Sequence, residues 1–282
     1  MSRTVTDKVC LFRAYRAYSL LGVEVHALTI DHLNKVIAEV IQTGCRLVIA
    51  NHNLHSVYLY RRDPKMRTFF EQAGVIHIDG MPLVWIGRLL GYPLGRQHRV
   101  TYVDWIGPLM EEAARHDWGI FYLGSKPGVA QRGAEVLRQR FPGLRIETHH
   151  GYFNRRPESD ENRAILERIA AFAPQILMVG MGMPRQEYWI LDDLPQISAN
   201  VILPSGAAID YVAGAIPTPP RWMAKLGLEW FYRLMSESRR LWRRYLVEPW
   251  FLLGPLVLDL WVQRVSRQRN QDHTDSPRGQ SL

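Results

Sequence analysis

An α/β fold, Rossmann-like, with a mostly parallel sheet covered by helices on both faces, is what this 282-residue sequence predicts. Three observations lead there. Between about residues 20 and 205, short runs that are almost wholly apolar alternate with amphipathic stretches of helical length. Small and polar residues close each apolar run on its C-terminal side, as they do where parallel strands end at a ligand cleft. With 47% hydrophobic and 22% charged residues, the chain also has enough apolar material for one sizeable core.

The elements follow in order. Residues 31–43 carry apolar positions at helical spacing, and "RLVIAN" (46–51) reads as a strand buried on both faces. A helix is expected over 54–73, then the strand "VIHID" (75–79), then a helix over 81–90 and another over 103–116. "GIFYLG" (119–124), "LRIETHH" (144–150), "QILMVG" (175–180) and "NVILPSG" (200–206) are the remaining strands, separated by helices near 127–141, 158–172 and 184–193. Prolines and glycine in "GAIPTPPR" (214–221) mark a boundary. We therefore divide the chain into an α/β core (1–215), a basic and apolar helical appendage (216–263) and an unstructured polar tail (264–282).

Charge and hydropathy give the appendage its character. The chain carries +8, and residues 221–244 hold seven Arg or Lys against two Glu, interleaved with Trp222, Trp230, Phe231 and Trp242. Such a block suits an anionic membrane surface, a diphosphate or nucleic acid. The next segment, "YLVEPWFLLGPLVLDLWV" (245–262), is apolar but broken by Glu248, Pro249, Gly254, Pro255 and Asp259, whereas a spanning helix needs roughly 20 mostly apolar residues. It is expected to lie in the membrane interface, or else to pack on the domain or on a second copy of the chain as a homo-oligomer. Two cysteines, Cys10 and Cys45, have no metal or redox spacing, and the N-terminal stretch, interrupted by Arg13 and Arg16, lacks the apolar region of a secretory leader. Both point to the cytosolic side.

The residues after the strands carry the functional signal. Asp79, with Gly80, stands where a helix is about to begin, so it either caps that helix or faces the cleft as a base. Gly180 and Gly182 in "VGMGMPRQE", and Gly124 with Ser125 in "LGSKPG", form strand-to-helix turns whose free N–H groups suit phosphate. His52 and His55 make an HxxH spacing without a third ligand and are read as structural or acceptor-contacting. A nicotinamide oxidoreductase is disfavoured because no GxGxxG follows the first strand, and a nucleic-acid-binding module would leave the polar strand ends unexplained.

The stretches "ANHNLHSVYLYRRDPKMRTFFEQAGVIHIDGMPLV", "ILMVGMGMPRQEYWI" and "RWMAKLGLEWFYRLMSESRRLWRRYL", in this order and spacing, resemble the WecG/TagA/CpsF family of bacterial glycosyltransferases over about residues 20–246. The resemblance implies transfer of a sugar from a UDP-sugar donor to a polyprenyl-diphosphate-linked sugar, with inversion. It places the reaction at the cytoplasmic face of the bacterial inner membrane, on a peripheral enzyme. No convincing DxD motif stands in the sequence, so metal-independent transfer with arginines in place of the cation is expected, without a cofactor and without nucleic acid as partner. It makes Asp79 the catalytic base and Asn53, Arg99, Gly180, Gly182 and Gln186 substrate-binding residues. Asn51 stands where the family has threonine, which points away from an N-acetylmannosamine-type donor and towards a glucosyltransferase of exopolysaccharide assembly; a UDP-N-acetylmannosamine or uronic-acid transferase is the alternative. The resemblance also implies that Arg233, Arg240 and Arg243 close over the site and stabilise departing UDP. Arg239 and Arg244, outside that set, are expected to attract lipid headgroups only.

Overall fold

The computed structural model describes residues 15–218, Met223 and 229–274, with backbone alone at Glu229, Arg240 and 266–274. The leader reading, Cys10, most of the "PTPPR" boundary, the start of the basic block and the last eight residues lie outside the described residues. Cys45 is disulfide-bonded, so the expectation of isolated thiols is overturned.

Six parallel strands form the main sheet: β3 (Leu47–His52), β4 (Val75–Ile78), β5 (Ile120–Gly124), β6 (Ile146–His149), β7 (Ile176–Gly180) and β8 (Val201–Pro204), in the order β4-β3-β8-β7-β5-β6. Neighbouring strand residues feed opposite layers, which shows that both faces are covered. Ile49, Tyr122, Met178 and Leu203 join one core with α1 (Ile30–Thr43), α5 (Tyr102–Arg115), α6 (Val129–Arg140) and α9 (Ala208–Val212). Val48, Phe121, Val179 and Ile202 join the other, with α2 (Leu54–Arg62), α3 (Pro64–Gln72), α7 (Asp160–Phe172) and α8 (Arg185–Asp193) packed on that side. A period of two along each strand thus builds two cores.

One expected helix is two. Pro64 pushes the preceding residue out of the helical region, and Asp63 sits at φ −120°, ψ 110°. Its N–H closes α2 on the Leu59 carbonyl while its side chain accepts from Lys65 and Met66 N–H to start α3. An element absent from the sequence reading is the antiparallel hairpin β1 (Ala17–Leu20) and β2 (Val23–His26), turned by Leu21 and Gly22, both at positive φ. This hairpin shields the edge of β4, where His26 Nδ1 accepts from Ile76 N–H at 3.2 Å.

A third core joins the hairpin to α4 (Met81–Leu89) and to the appendage. The appendage comprises α10 (Glu229–Ser236), α11 (Ser238–Trp242), a wide π-type turn (Arg243–Val247), a tight 3-10 turn (Glu248–Leu252) and α12 (Leu253–Thr274), so helix continues past the expected boundary at 263. The stretch Arg243–Val265 is long and apolar enough to cross a membrane by length and composition. One of its faces is nevertheless held by the domain. Leu252 is buried in the third core, Asp259 accepts from Leu21 N–H at 2.5 Å, and Gln263 donates to the Tyr92 hydroxyl at 2.8 Å. Val257, Leu258, Trp261 and Val262 are left facing outward.

Candidate active site

Asp79 is held by the backbone at the end of β4. Its N–H donates to the His52 carbonyl at 2.8 Å, extending the β3–β4 ladder by one residue. Gly80 then turns the chain at φ 135°, a conformation that a side chain would strain, and α4 begins at Met81. No side chain caps α4, so the Asp79 carboxylate is not spent on the helix and points to the cleft. Beside it, Asn53 caps α2: its Oδ1 accepts from Ser56 N–H at 3.1 Å, which turns its NH2 group towards Asp79 Oδ2, 3.4 Å away.

The appendage roofs this corner. Trp230, Arg233, Arg244, Tyr245 and Pro249 close a cavity of about 340 Å³ whose floor includes Asn53, Asp79, Trp85, Arg99 and Thr101. Arg244 Nη2 donates to Asn53 Oδ1 at 3.4 Å, and Arg99 is steadied by Asp104 at 2.8 Å. Burial raises the pKa of Asp79, while the Asn53 hydrogen bond and the charges of Arg244, Arg233 and Arg99 pull it back. The result is a carboxylate more basic than an exposed one, in a ring of cations suited to a diphosphate. Burial works against the charge of Arg233 as well, but Tyr211, Tyr245, Glu237 and Asp79 outweigh it and hold its pKa up.

The other expected residues divide. Asp79, Asn53, Arg99 and Arg233 meet in the cavity. Asn51 does not line it: the side chain is buried and its amide donates to the Pro204 carbonyl at 3.3 Å, tying β3 to β8. Gly124, Ser125, Gly180, Gly182 and Gln186 gather at the ends of β5 and β7. A Cβ on Gly124 would lie 2.3 Å from the Gly180 carbonyl oxygen, and one on Gly180 1.9 Å from the Tyr122 hydroxyl, so close packing of strand ends already requires both glycines. Ser125 donates to Asp210 at 2.8 Å. Gln186 Oε1 accepts from Gly182 N–H at 3.1 Å and Gly206 N–H at 3.2 Å, fixing the two loops that follow β7 and β8. Its NH2 group donates to Glu187 Oε1 at 2.8 Å, and burial pushes the Glu187 carboxyl up to about 7.

Of the appendage arginines, Arg243 is exposed with its guanidinium 5.8 Å from the Trp242 ring, and the Arg240 side chain lies outside the described residues. Arg244, assigned to headgroups by the sequence reading, joins Arg233 in the cavity lining. The spacing argument assumed one α-helix, whereas Glu237 at φ −131° breaks the helix and the π-type turn from Arg243 alters the angle per residue. Thr101 and Tyr245 had no sequence signal beyond their neighbours, and Trp230 was legible only as one aromatic of the basic block. His52 stacks on Phe70 at 3.9 Å and bonds Ser56, its pKa pushed down to about 3 by burial, while His55 and Glu248 share a 2.5 Å hydrogen bond that pins the appendage to α2.

Residues 18–269 match the model of a family described as glycosyl transferase WecG/TagA/CpsF. Similar proteins include the N-acetylglucosaminyldiphosphoundecaprenol N-acetyl-β-D-mannosaminyltransferases of Staphylococcus aureus strains MW2 and NCTC 8325. Each is 26% identical over 230 residues, which covers 78% of this chain and 87% of the relative. With the match spanning the sheet, the Asp79 corner and the appendage that roofs it, the chain belongs to the WecG/TagA/CpsF family of glycosyltransferases.

Proposed function

We propose that this glycosyltransferase moves a sugar from UDP to a hydroxyl of a sugar carried on polyprenyl diphosphate. The observation that carries the reading is the cavity that joins one basic carboxylate, Asp79, to three cations, Arg99, Arg233 and Arg244. In the step, the acceptor oxygen forms a bond to the anomeric carbon as the bond from that carbon to the UDP β-phosphate oxygen breaks. The acceptor proton goes to Asp79 and the electron pair leaves with UDP, whose growing charge falls to the arginines. Attack from the face opposite the leaving group inverts the centre. Asn53, whose Oδ1 is taken by Ser56 and Arg244, keeps a second amide N–H beside Asp79 that is suited to a sugar hydroxyl.

The names of the relatives favour an N-acetylmannosaminyl donor over glucose. The sequence argument for glucose rested on Asn51, and that side chain is engaged with Pro204 away from the cavity lining. We place the enzyme at a membrane surface with α12 along the interface, because its inner face is anchored to the domain by Asp259 and Gln263 while its outer face is apolar. A donor screen tests the function. Purified protein with an N-acetylglucosaminyl polyprenyl diphosphate should accept UDP-N-acetylmannosamine and release UDP, with UDP-glucose far slower. Preference for UDP-glucose would restore the glucosyl reading, and transfer from neither would refute both.

A further inference from the structure

The cavity combines two chemistries. Its charged lining gathers round Asp79, whereas α4 and the appendage contribute apolar walls, among them Trp85, Trp230 and Pro249. A UDP-sugar can offer such walls its uracil ring, which stacks on an indole, but it has no hydrocarbon chain to follow them out of the cavity. An acceptor whose diphosphate continues into a hydrocarbon chain has both parts in the right order.

Trp85 shows where that chain leaves. It lines the cavity and is also 46% exposed, so it stands at the mouth. One turn further along α4, Leu89 is 61% exposed, with exposed Arg88 beside it. These positions lie opposite the face that α4 buries through Leu83, Val84 and Gly87, and four residues advance about 6 Å along the axis. On the appendage side, Pro249 lines the cavity and the next residue, Trp250, is 70% exposed. The rim is thus apolar on both sides of the opening. We propose that the Trp85–Leu89 strip of α4 is a subsite for the first isoprenoid units of the lipid-linked acceptor. It guides the chain from the catalytic cavity towards the bilayer, with Arg88 placed to meet the anionic surface. This rests on the acceptor class proposed above and assigns a part of the core, separate from the appendage, to recognition of the lipid.

The test compares two acceptors in one detergent, bearing the same sugar diphosphate on a long polyprenyl chain or on a chain of a few carbons, and reads the ratio of their kcat/KM values. Leu89→Gln and Trp85→Gln should each lower the long-to-short ratio by about 10-fold, the effect of losing contact with roughly one or two buried apolar groups. Trp85→Phe should retain most of it. Circular dichroism and UDP binding check that each variant is folded. A ratio that stays at the wild-type value overturns the proposal. It is overturned equally if the variants lose only vesicle binding, which would make the strip a general bilayer contact, or only self-association in sedimentation, which would make it a contact between copies. If the wild type transfers to neither acceptor, the acceptor class itself is wrong, an outcome distinct from an unchanged ratio.

Discussion

At the scale of single residues, burial outweighs neighbouring charge at two carboxylates, Asp79 and Glu187, and raises the pKa of both. Glu187 is fully buried, has one carboxylate oxygen without a hydrogen-bond partner among the described residues, and is pushed up to about 7 by that burial. Its folded-state pKa lies above the ordinary 4.5, so the protonated form favours folding. Stability from this group is full below pH 4.5, falls as pH rises through the window to about 7, and is lost above it. Replacing it by neutral glutamine should flatten that fall, raising stability at pH 8 relative to pH 4 by about 3 kcal/mol in urea unfolding. An identical difference at both pH values would mean that Glu187 does not titrate in this window. Among the arginines, Arg244→Ala should lower turnover by about 10²-fold even with a short soluble acceptor, whereas Arg243→Ala should stay near the wild type. The reverse order would return the catalytic charge to the position implied by family spacing. Asp79 was legible because the end of an apolar strand followed by glycine is a position the backbone fixes. Arg244 was not, since two adjacent arginines can be told apart only by the local winding of the chain.

Elements were legible in proportion to their burial. The six sheet strands stood out because both faces pack into cores, leaving unbroken apolar runs. The β1–β2 hairpin was missed because its strands have four residues each and its turn puts Leu21, a residue with no turn preference, at positive φ. That turn has a structural role: its N–H meets Asp259 of α12 and its carbonyl accepts from Arg61 of α2 at 3.1 Å. α9, five residues long, is too short for a helical period. The break between α2 and α3 was signalled by Pro64 and overlooked in favour of continuous amphipathicity. For the appendage we expect that removing everything after Pro219 leaves a folded α/β sheet but lowers its melting temperature, because Leu252, Leu256 and Leu260 leave the third core. Transfer should be lost as well, since Arg233 and Arg244 go with it. Full activity of the truncated protein would show that the roof has no catalytic part. A smaller change, His55→Ala, leaves the half-buried Glu248 without this partner and should loosen the roof, seen as faster hydrogen exchange in 243–252.

The whole molecule joins a helix-covered parallel sheet to an apolar, basic flank. Trp250, Val257 and Trp261 are exposed on one side, and Arg239 and Arg243 are exposed on the segment that precedes them. Binding to anionic vesicles should therefore weaken as salt rises, and neutralising Arg239 should cost about 1 kcal/mol of binding. Salt-independent binding would leave the apolar face alone in that role. The catalytic reading depends on one group, and Asp79→Asn tests it most directly. The substitution keeps the shape of the side chain and removes both its basicity and a half-buried charge that its surroundings disfavour, so the variant should be at least as stable as the wild type at neutral pH. Single-turnover transfer from UDP-N-acetylmannosamine to the lipid-linked acceptor, measured beside UDP affinity by calorimetry, gives the decision. The account predicts a fall in the transfer rate of at least about 10²-fold with UDP affinity held within about 3-fold. A transfer rate near that of the wild type, or a loss of rate matched by an equal loss of UDP binding, would contradict it.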